Sequence, residues 1–251
     1  MAFLEAFDLI PREWILLYLA GFLIGLDKIG LRGAAMVILP FLAVILGGKN
    51  SAGFVLTLLI AGDIYAVIYY KRKCKWGLIL KLFPWAAGGI VLALIIGNMI
   101  SDQFFKRIMG FVLLFMLILM VYREWKKSAD TLPKNPIIAA GTGLAGGFST
   151  MIGNAAGPIM SMYLLSMNIP KEVFIGTGAW FFFIVNLSKF PLHYFVWKSI
   201  TKESLLLSLM IIPVIYIGTF FGRKIVQRIP EKGYRFFIIA ATFLGVLKLF
   251  F

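Results

Sequence analysis

The chain has 251 residues, of which 61% are hydrophobic, 16% aromatic and only 14% charged, with a formal net charge of +14 and a mean hydropathy of +0.94. An ordinary soluble domain carries about 25% charged residues, and one core in a chain this size cannot hide so much apolar surface. A soluble globular enzyme is excluded, and an integral membrane protein is predicted. The bases lie in short loops between apolar runs, which reads as a positive-inside signal and attraction to anionic lipid headgroups, not as a nucleic-acid surface. The single cysteine, Cys74, rules out an intrachain disulfide and a cysteine metal cluster. Its neighbours Lys71, Arg72, Lys73 and Lys75 supply a positive field that can lower its pKa, with no role implied. No basic segment or small-residue cleavage site accompanies the first apolar stretch, so no removable signal peptide is expected.

A membrane-crossing helix needs about 20 apolar residues. The first apolar stretch, 14–48, is nearly twice that length and is interrupted by Asp27-Lys28-Ile29-Gly30-Leu31-Arg32. Single spans are predicted at 50–70, 77–101 and 104–122, followed by a polar linker at 126–136. A second double-length stretch, 135–170, is interrupted by Ser149-Thr150-Met151-Ile152-Gly153-Asn154, and spans at 173–197, 203–221 and 234–251 complete the chain. Each double-length stretch reads as a helix–break–helix hairpin, either two short spans or a re-entrant loop. The expected fold is an all-α polytopic membrane protein built from two inverted repeats, 1–125 and 137–251. Each repeat is a broken helix hairpin followed by three transmembrane helices, and the two form one transport domain.

Internal matches support the repeat. Gly30 and Gly153 share an offset of 123 with Asp63 and Asn186, while Gly21 and Gly25 match Gly143 and Gly147 one residue out of step. A hairpin returns the chain to its starting side, so each half makes an odd number of crossings and consecutive halves must be inverted. Loop 71–76 holds four bases, loop 123–134 four bases and two acids, and loop 222–235 five bases and one acid. These three loops are placed in the cytoplasm, which puts both termini outside a cell membrane. Trp14, Tyr18, Trp76, Tyr122, Trp125, Tyr194 and Trp197 fall near span ends, as an interfacial aromatic belt does.

Chemistry is expected where polar residues interrupt apolar sequence. Each charge at a bilayer centre costs roughly 2.5–3.5 kcal/mol, so Asp27, Lys28, Arg32, Asp63 and Lys189 must face one another, a watery cavity or a ligand. Asp27 and Lys28 can instead form a local ion pair, and Lys189 lies far enough along its span to approach the opposite interface. In the second break, Ser149, Thr150 and Asn154 supply hydrogen-bonding groups. Asn154 as an N-cap before Gly157-Pro158 would start a helix whose free N–H groups and positive dipole end suit an anion. Gly30, Gly33, Gly153 and Gly157 either admit a ligand to the backbone or serve tight helix packing. Asp63 and Asn186 occupy equivalent places that would meet near a pseudo-two-fold axis. His193 is read as interfacial rather than as a proton relay. Nucleotide-binding loops, HExxH and catalytic triad spacings are absent from the sequence, so neither an enzyme nor a metal site is expected.

The run Gly146-Gly147-Phe148-Ser149-Thr150-Met151-Ile152-Gly153-Asn154-Ala155-Ala156-Gly157-Pro158 resembles the TauE/SafE family of sulfite exporters, within the 4-toluene sulfonate uptake permease superfamily. So does Lys171 to Ile200, with Gly176-Thr177-Gly178-Ala179-Trp180-Phe181-Phe182-Phe183 and Asn186-Leu187-Ser188-Lys189-Phe190-Pro191. Where the family often carries a run of glycines after the first break, this chain has Gly30-Leu31-Arg32-Gly33. The resemblance implies movement of sulfite, sulfoacetate or a related sulfonate. The resulting expectation is a secondary anion transporter working by alternating access. Lys28, Arg32 and Lys189 would neutralise the anion, and Ser149, Thr150, Asn154 and Asn186 would hydrogen-bond its oxygens. Asp27 or Asp63 would serve coupling or gating. No cofactor is expected, and H+ or Na+ is left open as a coupling ion. Partners are the small anion and membrane lipids, with no nucleic acid and a homodimer left open. The alternatives are an anion channel or a transporter of another small organic anion.

Overall fold

The computed structural model describes residues 9–28, 33–70, 72–126, 135–226 and 231–250. Among these residues ten α-helices follow in chain order: α1 (Pro11–Lys28), α2 (Ala34–Leu46), α3 (Gly48–Tyr70), α4 (Trp76–Met99), α5 (Asp102–Lys126), α6 (Pro136–Gly153), α7 (Gly157–Ser166), α8 (Lys171–Pro191), α9 (Lys202–Val226) and α10 (Glu231–Phe250). A π-helical turn, Leu192–Val196, extends α8. Among the described residues there are no strands. The protein is an all-helical, multi-pass membrane protein.

Among the described residues, six helical stretches are long and apolar enough to cross a membrane: Gly48–Tyr70, Trp76–Met99, Asp102–Tyr122, Pro136–Gly153, Glu172–Val196 and Lys202–Phe221. Five coincide with predicted single spans. The sixth, α6, is the long arm of the second hairpin. In α10 the described apolar stretch is only Ile239–Phe250. With 13 residues in α2 and 10 in α7, a rise of about 1.5 Å per residue makes both too short to cross alone.

Local chemistry starts and stops these helices. The Asn135 side chain accepts from the Ile137 N–H, with Pro136 in the first turn of α6. The Asp102 carboxylate accepts from the N–H groups of Gly48 and Lys49 at 3.1 and 3.2 Å, capping α3 from the start of α5. The second break lies at 154–156, not 149–154: Ser149 and Thr150 are still helical.

Packing pairs the two halves. α1 lies against α9, and α6 against α4; α2 lies against α10, and α7 against α5; α3 packs on α8 and α5 on α10. The first two contacts are backbone against backbone. A Cβ on Gly25 would strike the Ile215 carbonyl and one on Gly218 the Phe22 carbonyl. A Cβ on Gly147 would strike the Ala86 carbonyl and one on Gly89 the Leu144 carbonyl. Gly89 and Gly218 are 129 residues apart, as are Pro84 inside α4 and Pro213 inside α9. Gly25, Gly89, Gly147 and Gly218 serve helix packing.

Four of the aromatic side chains assigned to the belt, Tyr18, Trp76, Tyr122 and Tyr194, are exposed on the helical surface. Trp197 is a correction. It is buried, its ring edge-on to Phe105 and its indole N–H donating to the Leu94 carbonyl at 3.3 Å. Gly97 leaves room for it.

Candidate functional site

A cavity of about 90 Å³ opens between the two hairpin breaks. Asp27, Lys28 and Gly33 line it from the first break, Gly157 and Ser161 from the second hairpin, Asp63 from α3, and Gly178, Ala179 and Phe182 from α8. It has room for a few waters or one small oxyanion.

At the first break, Lys28 does not pair with its neighbour Asp27. Its ammonium donates to Asp63 Oδ1 at 2.5 Å, with side-chain exposures of 9% and 1%. Asp27 instead accepts from the N–H of Gly33 at 2.8 Å. Gly33 is the N-cap of α2 and needs glycine's freedom, since its φ is +91°. The positive end of α2 is therefore already matched by a carboxylate of the protein itself, in the place the sequence reading kept for a substrate anion. Gly30 and Arg32 lie outside the described residues.

The second break is built differently. Asn154 is not the N-cap of α7 but the C-cap of α6, in the left-handed conformation (φ 50°, ψ 30°). Its amide donates to the Ala52 carbonyl on α3 at 3.0 Å, and its Oδ1 accepts from Lys189 at 2.7 Å. The N-cap of α7 is Ala156, which makes no side-chain cap. The first N–H groups of α7 thus lack both an intrahelical partner and a capping side chain. Gly157, with nothing within 4 Å of where a Cβ would stand, opens this helix end to the cavity.

Behind the cavity lies a buried polar cluster. Asn186 donates to Asp63 Oδ2 at 2.7 Å across exactly the 123-residue offset that relates the two positions in sequence. Lys189, fully buried, donates to the Thr150 carbonyl and Thr150 Oγ1, each at 2.9 Å, besides Asn154. It reaches neither the opposite interface nor the cavity. Ser149 Oγ donates back to the Ala145 carbonyl at 2.6 Å. His193 is not interfacial. It is fully buried, with Nδ1 2.8 Å from Ser199 Oγ and its ring edge-on to Trp197.

Of the expected site residues, the structure brings Asp27, Lys28, Gly33, Asp63 and Gly157 onto the cavity. Ser149, Thr150, Asn154, Asn186 and Lys189 do not line it, and Gly153 is buried beside Met109. Ser161 went unread in the sequence. Its signal was its spacing of one helical turn from Gly157, on the same face of α7. Outside the membrane, burial pushes the Cys74 thiol up, partly opposed by a hydrogen bond with Thr177, so the expected lowering by neighbouring bases does not dominate. Among the described residues, no group of three or more His, Cys, Asp or Glu side chains could hold a metal ion.

No curated protein matches the chain, and no solved structure does. The model of the sulfite exporter TauE/SafE family matches residues 15–249, and by that match over nearly its whole length the chain belongs to this family of membrane transporters.

Proposed function

We propose that the protein is a secondary transporter that carries sulfite or an organosulfonate across a cell membrane by alternating access, with the cavity between the hairpin breaks as its anion site. The observation that carries this reading is the convergence of both breaks on one small cavity, where α7 presents an N-terminus without a side-chain cap. An oxyanion there accepts from the α7 backbone and from Lys28, exchanging with Asp63 for the ammonium. Arg32 keeps its sequence-based assignment as a second cation. H+ or Na+ moves with the anion, and both termini lie outside the cell.

Alternating access has a structural basis in two inverted repeats. The exchanged packing of α1 on α9 and α6 on α4 supports such a relation, as does the meeting of Asp63 with Asn186. The test is counterflow of labelled sulfite and labelled isethionate in proteoliposomes, wild type against Gly157→Val. The valine side chain enters open space and the cavity, so the variant loses about nine-tenths or more of its exchange, and its melting temperature is measured beside it because a β-branched residue before Pro158 is disfavoured in helical geometry. Normal exchange in Gly157→Val refutes the site, and no exchange of either anion by the wild type refutes the function.

A further inference from the structure

Asn186, Lys189 and His193 fall at i, i+3 and i+7 along α8 and its π-helical extension, which puts them on one face. All three are buried, to 2% exposure or less. Ionisable groups inside a membrane are costly and mark ion pathways and proton relays.

The hydrogen bonds along this face bear on which ion it can hold. Asp63 gives one oxygen to Lys28 and the other to Asn186. The oxygens at the end of α6, Thr150 O, Thr150 Oγ1 and Asn154 Oδ1, all accept from Lys189. A hard cation is held by a cage of oxygens, and here the Lys189 ammonium already occupies such a cage, while Lys28 holds one oxygen of Asp63. Among the described side-chain oxygens of this cluster, Asn186 Oδ1 lacks a partner, and one amide oxygen does not make a sodium site.

Charge points the same way. The described charged and titratable groups around Lys189 are Asp63 on α3, Lys28 on α1 and His193 on its own helix, while α6 contributes only Thr150 and the Asn154 cap. With His193 neutral, one carboxylate and two ammonium groups leave a single excess positive charge on these four side chains, while Asp27, beside Lys28 on the cavity, accepts from the Gly33 N–H. A bound sodium ion would double it; loss of one proton would cancel it. Lysine can exist without its proton, unlike arginine.

We propose that the ion coupled to anion movement is the proton and not sodium, and that Lys189 carries it. This rests on the transport reading above. In the step, one Nζ–H bond of Lys189 breaks, its electron pair stays on nitrogen, and the proton passes to water admitted as the cavity opens. The neutral amine keeps two N–H groups for three acceptors, so the hold on the tip of the second hairpin weakens as the proton leaves. Asn154, bonded to both Lys189 and the Ala52 carbonyl, passes that change to α3. His193, one turn on and with Nε2 lacking a partner among the described residues, continues the face toward Ser199.

The test uses the full chain in proteoliposomes with labelled isethionate, a sulfonate that stays ionised through the pH range, and labelled sulfite. Exchange is measured first, then accumulation under a pH gradient without sodium and under a sodium gradient at clamped pH. A pH gradient of about one unit should drive about tenfold accumulation by the wild type, and a sodium gradient none. In Lys189→Gln and Lys189→Arg, the ratio of pH-driven accumulation to exchange should fall about tenfold. Accumulation driven by sodium overturns the proposal, as does a pH-driven ratio that survives in either variant. If both variants fail to fold, the wild-type comparison of the two gradients still decides between the ions. Exchange without pH drive sinks the coupling proposal alone, whereas absence of exchange sinks the transport reading and this inference with it.

Discussion

Replacing Asp63 by Asn is the sharpest perturbation the structure offers. It preserves the volume and an oxygen for Asn186, and removes only the charge facing Lys28. At 2.5 Å, and with an effective dielectric near 20, the attraction in the pair is about 6–7 kcal/mol. Taking each ion out of water costs several kcal/mol, so the intact pair contributes little net stability. Breaking it is different, because the ammonium that remains is nearly as buried as before. The expected cost of Asp63→Asn is about 3–5 kcal/mol. For a chain of this size that lowers the melting temperature by roughly 6–20 °C. Lys28→Met should cost a similar amount for the mirror reason, and the double variant should recover most of the loss. Thermal unfolding of purified protein, followed for all four members of the cycle, supplies the coupling energy. Single variants within about 1 kcal/mol of wild type, or strictly additive losses, would refute the claim that Lys28 and Asp63 neutralise each other away from water.

Two further outcomes follow from the same coordinates. Gly147→Ala should lose about 1–3 kcal/mol, because its methyl group meets the Ala86 backbone, whereas Gly157→Ala, which meets open space, should melt with wild type; equal melting temperatures would contradict the packing of α6 on α4. Cys74, the sole thiol, should react with a membrane-impermeant maleimide from the cytoplasmic face only. Since burial raises its pKa, less thiolate is present at neutral pH than for a free cysteine, and the labelling rate should keep rising through the ordinary thiol range. Labelling of intact cells would reverse the assigned orientation.

The architecture was legible because apolar sequence without charges has one solution in a bilayer. Five spans could be placed from the sequence, and the second interruption only to within a few residues, 149–154 against 154–156. What could not be read was partner choice. Adjacency favoured Asp27 for Lys28, yet the helix turns the two apart, and Asp63, 35 residues away, takes the lysine. The same residue types cap either helix end, so Asn154 looked like the start of α7 when it closes α6. His193 sat near the end of an apolar run. Only the π-helical turn, which brings Ser199 and Trp197 back over the ring, hides it from the interface. The spacing shared by Pro84 with Pro213 and Gly89 with Gly218 was in plain view, but it means little until α4 and α9 are seen to grip the opposite hairpins.

The glycine seam between α1 and α9 also bears on biogenesis. Gly21 leaves the ribosome about 190 residues ahead of Ile211, the side chain it must fit against. Until then the first hairpin sits in the bilayer with its small-residue groove against lipid. Assembly is therefore completed from the C-terminal end backwards, and a nascent chain stopped before α9 would strand its own beginning for quality-control proteases to find.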